Sequence, residues 1–161
     1  MNRRVTVRPT TEADAPFAYH VRETTMRDYV VATWGAWNAE EARGQIEEDI
    51  RRSRSMIVEV NDRRVGLMRA DELPTHVHLD QLFILPEHQR QGIGQQILLR
   101  LLQRAKSLGL PLRLWVLRIN PAAKLYERLG FKVIEQTPAS LYLECLHQPV
   151  TVRSSPGADP Q

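Results

Sequence analysis

Residues 89–94 read Gln-Arg-Gln-Gly-Ile-Gly, and this stretch decides how the rest of the chain is interpreted. It follows an alternating segment, His76–Leu85, that ends at Pro86 as a strand does, and it opens an apolar stripe with the 3.6-residue period of a helix. The stripe consists of Ile93, Ile97, Leu98, Leu101, Leu102, Ala105 and Leu108. Backbone N–H groups at a helix start have no internal partners, and the helix dipole makes that end positive. Because Gly92 and Gly94 would let phosphate oxygens approach those donors, the sequence predicts a strand–loop–helix anion site.

Two glycines near a helix start are weak evidence by themselves, because glycine also serves ordinary turns and close packing. A dinucleotide-binding Rossmann motif would need a third glycine and a place after the first strand of a βαβ unit, but position 97 is Ile97. A Walker P-loop would need Gly-Lys-Ser or Gly-Lys-Thr, which the sequence lacks. The rest of the chain must therefore decide which anion site this is.

The other elements are predicted from alternation, periodicity and turn residues. Thr11 and Asp14 are spaced as a capping box at the start of a helix. Asn61 and Asp62 tolerate the left-handed angles of a tight hairpin turn. The predicted elements, in order, are a strand at 5–8, helices over about 12–26 and 38–52, strands at 56–60, 65–68 and 76–85, a helix over 93–108, a strand at 112–117, a helix from 121 to 130, and strands near 131–135 and 140–146. The order strand, helix, strand from 77 to 117 has a long crossover, so those two strands should be parallel.

The length of 161 residues suits one domain, which we expect to span residues 1–148. Hydrophobic residues make up 42% of the chain and charged residues 25%, as in soluble globular proteins, which argues against a disordered or fibrous chain. Residues 149–161 have nothing to bury and are predicted to be a disordered tail.

Three features bear on where the protein works. Apolar runs fall far short of the ~18 residues that a membrane span needs, so no membrane partner is expected. The N-terminal residues lead directly into a strand-like alternation and not into the apolar core of a secretory signal. Cys145 is the only cysteine, which excludes a disulfide within the chain. A reducing, cytoplasmic location is therefore expected.

Positive charge is concentrated in the second half of the chain. Residues 1–80 carry 12 Lys/Arg and 14 Asp/Glu, a net charge of −2, whereas residues 81–161 carry 10 and 5, a net charge of +5. A basic half could attract nucleic acid, but it lacks zinc-ligand spacing, an aromatic RNA-binding motif and a run of basic residues. We therefore expect no nucleic-acid partner and no metal, and interpret this charge as serving a phosphorylated small ligand.

Two motifs together resemble those of the GNAT acetyltransferases. The family pattern Q/R-x-x-G-x-G/A is matched by residues 89–94, and N-x-x-A followed by Y-x-x-x-G-F is matched by residues 120–131, Asn-Pro-Ala-Ala-Lys-Leu-Tyr-Glu-Arg-Leu-Gly-Phe. The resemblance is sharp over about 77–146 and architectural over 1–76. It implies an α/β fold of mixed α+β character, with a central, mostly antiparallel sheet of about seven strands flanked by about four helices. Strands four and five would be parallel and splayed.

The resemblance implies that acetyl-CoA is the cofactor and that coenzyme A is a product. Backbone groups of Leu82, Phe83 and Ile84 would hydrogen-bond the pantetheine arm. The pyrophosphate would lie against Gln89, Arg90, Gln91, Gly92, Ile93, Gly94 and Gln95. Asn120 would contact the cofactor at the end of strand five, and Lys124 would assist at a phosphate.

The resemblance also implies an acid and a base. Tyr126 would protonate the departing thiolate, or it would pack with Leu125 and Phe131 as an ordinary helix-face aromatic. An amine must lose a proton before it can attack a thioester, and the family's base positions on strand four correspond to His78 and Asp80. These positions differ by two, so both should point to one face of the strand. Histidine suits a base near neutral pH, and Asp80 would orient it or hold a cationic substrate; the alternative is that both are ordinary polar residues.

The acceptor is the least defined part of the predicted site. Trp34 and Trp37 lie where the resemblance places the wall of the acceptor site, and aromatic faces bind amines through contacts worth ~0.5–2 kcal/mol. Packing in the core is the alternative for either residue. Together with Asp28 and the other acids of the first half, they favour a small cationic amine, and a protein amine stays open.

Two functions from different classes follow from these residues. The first is N-acetyl transfer from acetyl-CoA to a primary amine, directly within a ternary complex. The second is a non-catalytic acyl-CoA-binding regulatory module that keeps the same cleft. Tyr126 favours the enzyme, because a sensor has no need of an acid for a thiolate. The final strand of such domains would also allow a homodimer.

Overall fold

The computed structural model describes residues 3–146, and over this range the backbone forms one seven-stranded sheet flanked by four α-helices. The strands are β1 (Val5–Pro9), β2 (Ser55–Val60), β3 (Arg63–Glu72), β4 (Val77–Ile84), β5 (Leu112–Leu117), β6 (Lys132–Gln136) and β7 (Ser140–Cys145). The helices are α1 (Ala15–Trp34), α2 (Ala39–Arg51), α3 (Ile93–Leu108) and α4 (Ala122–Arg128). The strand order is β1-β2-β3-β4-β5-β7-β6, and among the described strands β4 and β5 alone pair in parallel. The predicted mixed, mostly antiparallel sheet is therefore confirmed.

Helix α1 is longer than its sequence predicted. The predicted end near residue 26 is wrong, because the helix continues to Trp34. The segment after Met26 contains no Gly or Pro before Gly35, whose φ of 87° is the left-handed conformation that glycine favours at a helix end. The predicted start is a short 3₁₀ turn, Glu12–Asp14, in which the expected capping box of Thr11 and Asp14 is present. The additional turns bring the end of α1 to the edge of the site described below.

The helices pack on opposite faces of the sheet and define two cores. Helices α3 and α4 share a core with the sheet that includes Ile93, Ile97, Leu98, Leu114, Tyr126 and Phe131. Helices α1 and α2 share the other core, which includes Ala18, Val21, Ile46, Ile50, Ile57 and Leu67. Strand β4 contributes to both, with Leu79 in the first and Phe83 packed against the second. Groups on β4 are therefore held rigidly from both sides.

The turn residues behave as their sequence predicted. Asn61 and Asp62 have φ angles of 50° and 66° and join β2 to β3 in the expected hairpin. Pro121 directly precedes α4, and Gly130, with a φ of 94°, follows it.

Some predictions concern the ends of the chain. The predicted tail at 149–161 lies outside the described residues. Within residues 3–146, none of the helices combines the length and the apolar composition that crossing a bilayer takes.

Candidate active site

Strands β4 and β5 separate part-way along their length. The parallel pairs are Val77 with Leu112, His78 with Arg113 and Leu79 with Leu114. The next residue, Asp80, has no partner on β3, because Arg69 pairs with Gln81 and Ala70 pairs with Leu79. A bulge of this kind bends the strand and increases its twist. Beyond Asp80 a cleft of about 230 Å³ opens between the two strands, as expected of splayed strands.

The free edge of β4 presents backbone groups to this cleft. Leu85 donates its backbone N–H to β3, so the alternation of an antiparallel pair also turns the backbone groups of Phe83 toward β3. The backbone groups of Leu82 and Ile84 turn the other way, away from β3. Leu82 lines the cleft, and the Ile84 carbonyl already accepts a 2.9 Å hydrogen bond from the Gln89 side chain. Leu82 and Ile84 thus keep backbone groups for the predicted cofactor contacts, whereas Phe83 offers its ring.

The loop that ends at α3 carries a row of unpaired backbone donors. Within residues 3–146, no backbone N–H from Arg90 to Gln95 donates to another protein group. The first helical bond is the one that Gln96 donates to the Gly92 carbonyl, at 3.0 Å. Unpaired N–H groups at the positive end of a helix form an anion site, so the geometry fits a phosphate group.

The two glycines of this loop differ in what they permit. Gly92 has a φ of 79°, a conformation that residues with a Cβ rarely adopt. Gly94 has no such restriction, and a Cβ built on it meets nothing closer than Leu125, at 4.0 Å. The surface over Gly94 is therefore open for a ligand. The side chain of Gln91 donates to the Glu87 carbonyl within the loop, so its predicted phosphate contact would come from its backbone.

Tyr126 on α4 lines the cleft between β4 and β5. The residue is 8% exposed, and its ring packs edge-on against Phe131 with centroids 5.6 Å apart. Its hydroxyl makes no hydrogen bond with any residue in the range 3–146, and burial raises the pKa of Tyr126 to about 12. The packing role and the acid role are thus compatible, because the ring is packed while the hydroxyl stays protonated and available.

Asn120 and Lys124 occupy different surroundings. Asn120 lines the cleft, and its Oδ1 accepts the Ala122 N–H at 3.0 Å, which caps the start of α4. Lys124 is exposed on α4 and lines neither the cleft nor the cavity described next. The predicted phosphate contact of Lys124 stays a prediction.

A second, larger cavity of about 730 Å³ adjoins the cleft on the side of α1 and α2. Met26, Asp80 and Phe83 line both spaces, so the cavity and the cleft meet at these three residues. Trp37 lines the larger cavity, and its indole N–H donates to the Tyr19 hydroxyl at 3.3 Å. We call this space the acceptor cavity, because it meets the cleft where a second substrate would have to enter.

Of the other two predicted acceptor residues, one lines the cleft and the other does not. Trp34 lines the cleft at the end of α1 and is 63% exposed, which is not core packing. Asp28 is exposed on α1 and lines neither space. A role for Asp28 in acceptor binding stays a prediction without support from its position.

The two candidate bases also differ in position. Asp80 lines both spaces, and its carboxylate lies 3.6 Å from Arg69. His78 lies in the paired part of β4 and lines neither; its ring centroid is 5.7 Å from that of His76 and 6.5 Å from that of Tyr142. The bulge at Asp80 interrupts the simple alternation that placed both side chains on one face. Asp80 therefore meets the cleft directly, and His78 does not.

Sequence reasoning missed several residues of this site. Arg22, Met26 and Val30 are spaced four apart on α1 and line the acceptor cavity together. That spacing was visible in the sequence, but the predicted helix ended too early to include Val30. Arg69 contacts three carboxylates and lines the same cavity, and Trp115 at the cleft stacks on Tyr142 with centroids 4.6 Å apart. These cross-strand contacts have no local sequence signal.

This arrangement of splayed parallel strands, an anion loop and a buried tyrosine agrees with a family-level match. The family model for the Acetyltransferase (GNAT) family matches residues 18–131, more than half of the chain. The chain therefore belongs to the GNAT acetyltransferase family.

Solved structures with the same fold come from several organisms. One is the PaiA N-acetyltransferase of Thermoplasma acidophilum in complex with coenzyme A, with 18% identity and a TM-score of 0.67 over 88% of this chain and 98% of that chain. Another is an acetyltransferase of Thermus thermophilus, with 22% identity and a TM-score of 0.67 over 88% and 96%. A third is the ribosomal-protein-S18-alanine N-acetyltransferase of Escherichia coli, with 21% identity and a TM-score of 0.63 over 88% and 92%. No functionally curated protein matches the sequence.

Proposed function

We propose that this chain transfers the acetyl group of acetyl-CoA to a primary amine, directly within a ternary complex. The acceptor would be a small cationic amine or a protein amine. The observation that carries the proposal is the meeting of two spaces at Asp80, one of which is also lined by Tyr126. Family membership supports acetyl transfer, and the structural relatives include a coenzyme A complex and a protein-alanine N-acetyltransferase.

The residues of the cleft fit acetyl-CoA. The unpaired N–H groups from Arg90 to Gln95 suit a pyrophosphate at the start of α3. The free backbone groups of Leu82 and Ile84 suit an amide-containing arm laid beside β4 as an added strand. When bound, acetyl-CoA supplies an acetyl group activated as a thioester.

The chain's own residues then handle charge and protons. As the C–N bond forms, negative charge grows on the thioester oxygen, and a backbone N–H on the free edge of β4 stabilises it. As the C–S bond breaks, Tyr126 donates its phenolic proton to the sulfur. The ammonium nitrogen of the acceptor gives up two protons in all. One of them balances the proton that Tyr126 delivers, and the other is released to solvent.

The first of these protons must leave before the amine attacks, and two routes are compatible with the site. Asp80 could accept it directly where the two spaces meet. His78 could accept it only through water, since it lines neither space. In either case the carboxylate of Asp80 attracts the ammonium form of the acceptor to the cleft.

The test is release of free thiol from acetyl-CoA in the presence of an amine panel, with the acetylated product identified by mass spectrometry. Amine-dependent thiol release at a rate above that of the Tyr126→Phe variant supports the proposal. If the protein binds acetyl-CoA by calorimetry but no amine releases thiol, the non-catalytic acyl-CoA-binding module is the correct description.

A further inference from the structure

Arg22 is the one residue of the described chain with a buried side-chain donor that has no hydrogen-bond partner. Its Nη2 donates to the Gln45 side chain at 2.5 Å, whereas its Nη1 is buried and makes no hydrogen bond. Both residues line the acceptor cavity. A buried donor without a partner is costly, and a guanidinium stays charged at all ordinary pH values. One guanidinium donor of a residue that lines the cavity is therefore left without an acceptor.

The neighbouring acids do not provide a hydrogen-bond acceptor for Arg22. Asp49 and Asp80 both contact Arg69, at 3.0 Å and 3.6 Å. Glu48 contacts Arg51 and Arg52. Glu41 accepts a hydrogen bond from Gln45 at 3.4 Å. Arg22 forms no ion pair within residues 3–146, although these acids lie in the same cavity.

The charges of the cavity also limit what kind of anion could enter. Its lining carries Arg22 and Arg69 against Glu41, Glu48, Asp49 and Asp80. A doubly charged phosphate would be repelled by this excess of acids. A single carboxylate would be repelled less, and its two oxygens match the planar donors of a guanidinium. Asp80, which lines the same cavity, attracts an ammonium.

We propose that the acetyl acceptor is a small molecule with both a primary amine and a carboxylate, an amino acid in the broad sense. Its carboxylate binds Arg22, and its amine lies beside Asp80 where the acceptor cavity meets the cleft. This inference rests on the proposed acetyl transfer and adds the substrate class. The transfer itself is unchanged: the amine nitrogen gains the acetyl carbon, the C–S bond breaks, and the carboxylate takes no part in bond making.

The test compares acids with amides of the same skeleton. The probes are glycine, β-alanine, 4-aminobutyrate, 6-aminohexanoate, leucine, glutamine, lysine and methionine, each beside its carboxamide, which keeps the amine and removes the negative charge. The variants are Arg22→Gln, Arg22→Lys and, as a matched control, Arg27→Gln, which alters an exposed arginine of the same helix. The chain-length series also measures the distance over which the two ends of the acceptor are held.

The expected result is that at least one acid exceeds its carboxamide in kcat/KM by at least about tenfold, the effect of one charge-assisted hydrogen bond. This ratio should fall by at least about tenfold in Arg22→Gln, partly recover in Arg22→Lys, and persist in Arg27→Gln. Calorimetry on the coenzyme A-loaded protein provides a second readout, in which the acid binds more tightly than the carboxamide in the wild type and equally in Arg22→Gln.

The two proposals fail in different ways. If amines release thiol but acids and carboxamides are equivalent in the wild type, the carboxylate site is overturned and the acetyltransferase stands. If no amine releases thiol yet calorimetry shows the Arg22-dependent preference for acids, the proposed reaction is overturned and the carboxylate site stands. Better turnover of diamines than of every amino acid would also overturn the carboxylate site. Should Arg22→Gln not fold, the acid-to-amide ratio of the wild type and of Arg22→Lys decides.

Discussion

Arg69 holds Asp80 at the point where β4 leaves β5, with the guanidinium nitrogen 3.6 Å from the carboxylate oxygen. Arg69 is fixed in turn by Asp49 and Asp71, at 3.0 Å and 3.1 Å. The ion-pair network therefore sets the position of Asp80, whose carboxylate alone among residues 3–146 lines both the cleft and the acceptor cavity. Burial raises the pKa of Asp49 despite its contact with Arg69.

We expect Asp80→Asn to raise the KM for the acceptor about three- to tenfold and to lower kcat by less than about threefold. The amide keeps the shape of the side chain and removes an attraction for an ammonium that is worth roughly 1 kcal/mol at a partly exposed site. Steady-state kinetics with the acceptor varied at saturating acetyl-CoA will measure this. His78→Ala is the comparison, since it removes the other candidate base. A loss of kcat by a hundredfold in Asp80→Asn would instead identify Asp80 as the base that accepts the proton.

Gly94→Val should weaken acetyl-CoA binding by at least about tenfold while leaving unfolding cooperative. The new side chain has room in the free protein, because a Cβ there meets nothing closer than Leu125 at 4.0 Å. It would occupy the surface over which the phosphates approach the unpaired N–H groups. Gln103→Val, on the exposed side of the same helix, is the control for a β-branched residue in α3. Unchanged affinity in a folded Gly94→Val protein would remove the anion-loop argument.

Gly66→Ala should destabilise the fold by about 1–3 kcal/mol, as overpacking typically does. A Cβ on this residue of β3 would lie 2.3 Å from the Phe83 carbonyl oxygen, which belongs to the backbone of β4 and cannot move independently. Gly44→Ala on α2 is the matched control, because a Cβ there meets nothing within 4 Å and alanine is the better helix former. Chemical denaturation will measure both. Equal stability of the two variants would contradict the close approach of β3 and β4 at this point.

The acid role of Tyr126 makes a prediction for alkaline pH. Burial raises the pKa of Tyr126 to about 12, above the ordinary tyrosine value of about 10. Because the protonated phenol is the form that donates, kcat should not fall as the pH is raised from about 8 to about 10. The measurement is kcat with both substrates saturating. A falling limb centred near pH 9–10 that disappears in Tyr126→Phe would show a tyrosine with an ordinary pKa and contradict the buried position.

Local signals were sufficient for much of the fold. The apolar stripe of α3, the left-handed residues Asn61 and Asp62, and Pro121 before α4 each specify conformation over a few residues. The two glycines marked a loop with unpaired backbone donors for the same reason, since these donors belong to the loop and helix that the motif itself builds. The predicted end of α1 near residue 26 was wrong, since the only strong stop signal after Met26 is Gly35.

The remaining site features depend on contacts between distant segments. The bulge at Asp80 is set by the register between β3 and β4, which no local pattern of β4 alone specifies. The unpaired donor of Arg22 results from the packing of α1 beside α2. This packing places Gln45 beside Nη2 and leaves Nη1 without a hydrogen-bond partner. Contacts of this kind join segments that are distant in sequence, so they can be identified only in the folded structure.

The most direct test of the central claim is kcat of Tyr126→Phe with the best acceptor, beside the affinity of the variant for acetyl-CoA. The ring and its packing against Phe131 are kept, so the substitution removes only the hydroxyl of a residue that lines the cleft. Positioned acid catalysis is worth about 10²–10⁴ in rate. We predict a fall in kcat of at least about a hundredfold with acetyl-CoA affinity changed by less than about threefold. A fall in kcat smaller than about threefold would contradict the acid role of Tyr126.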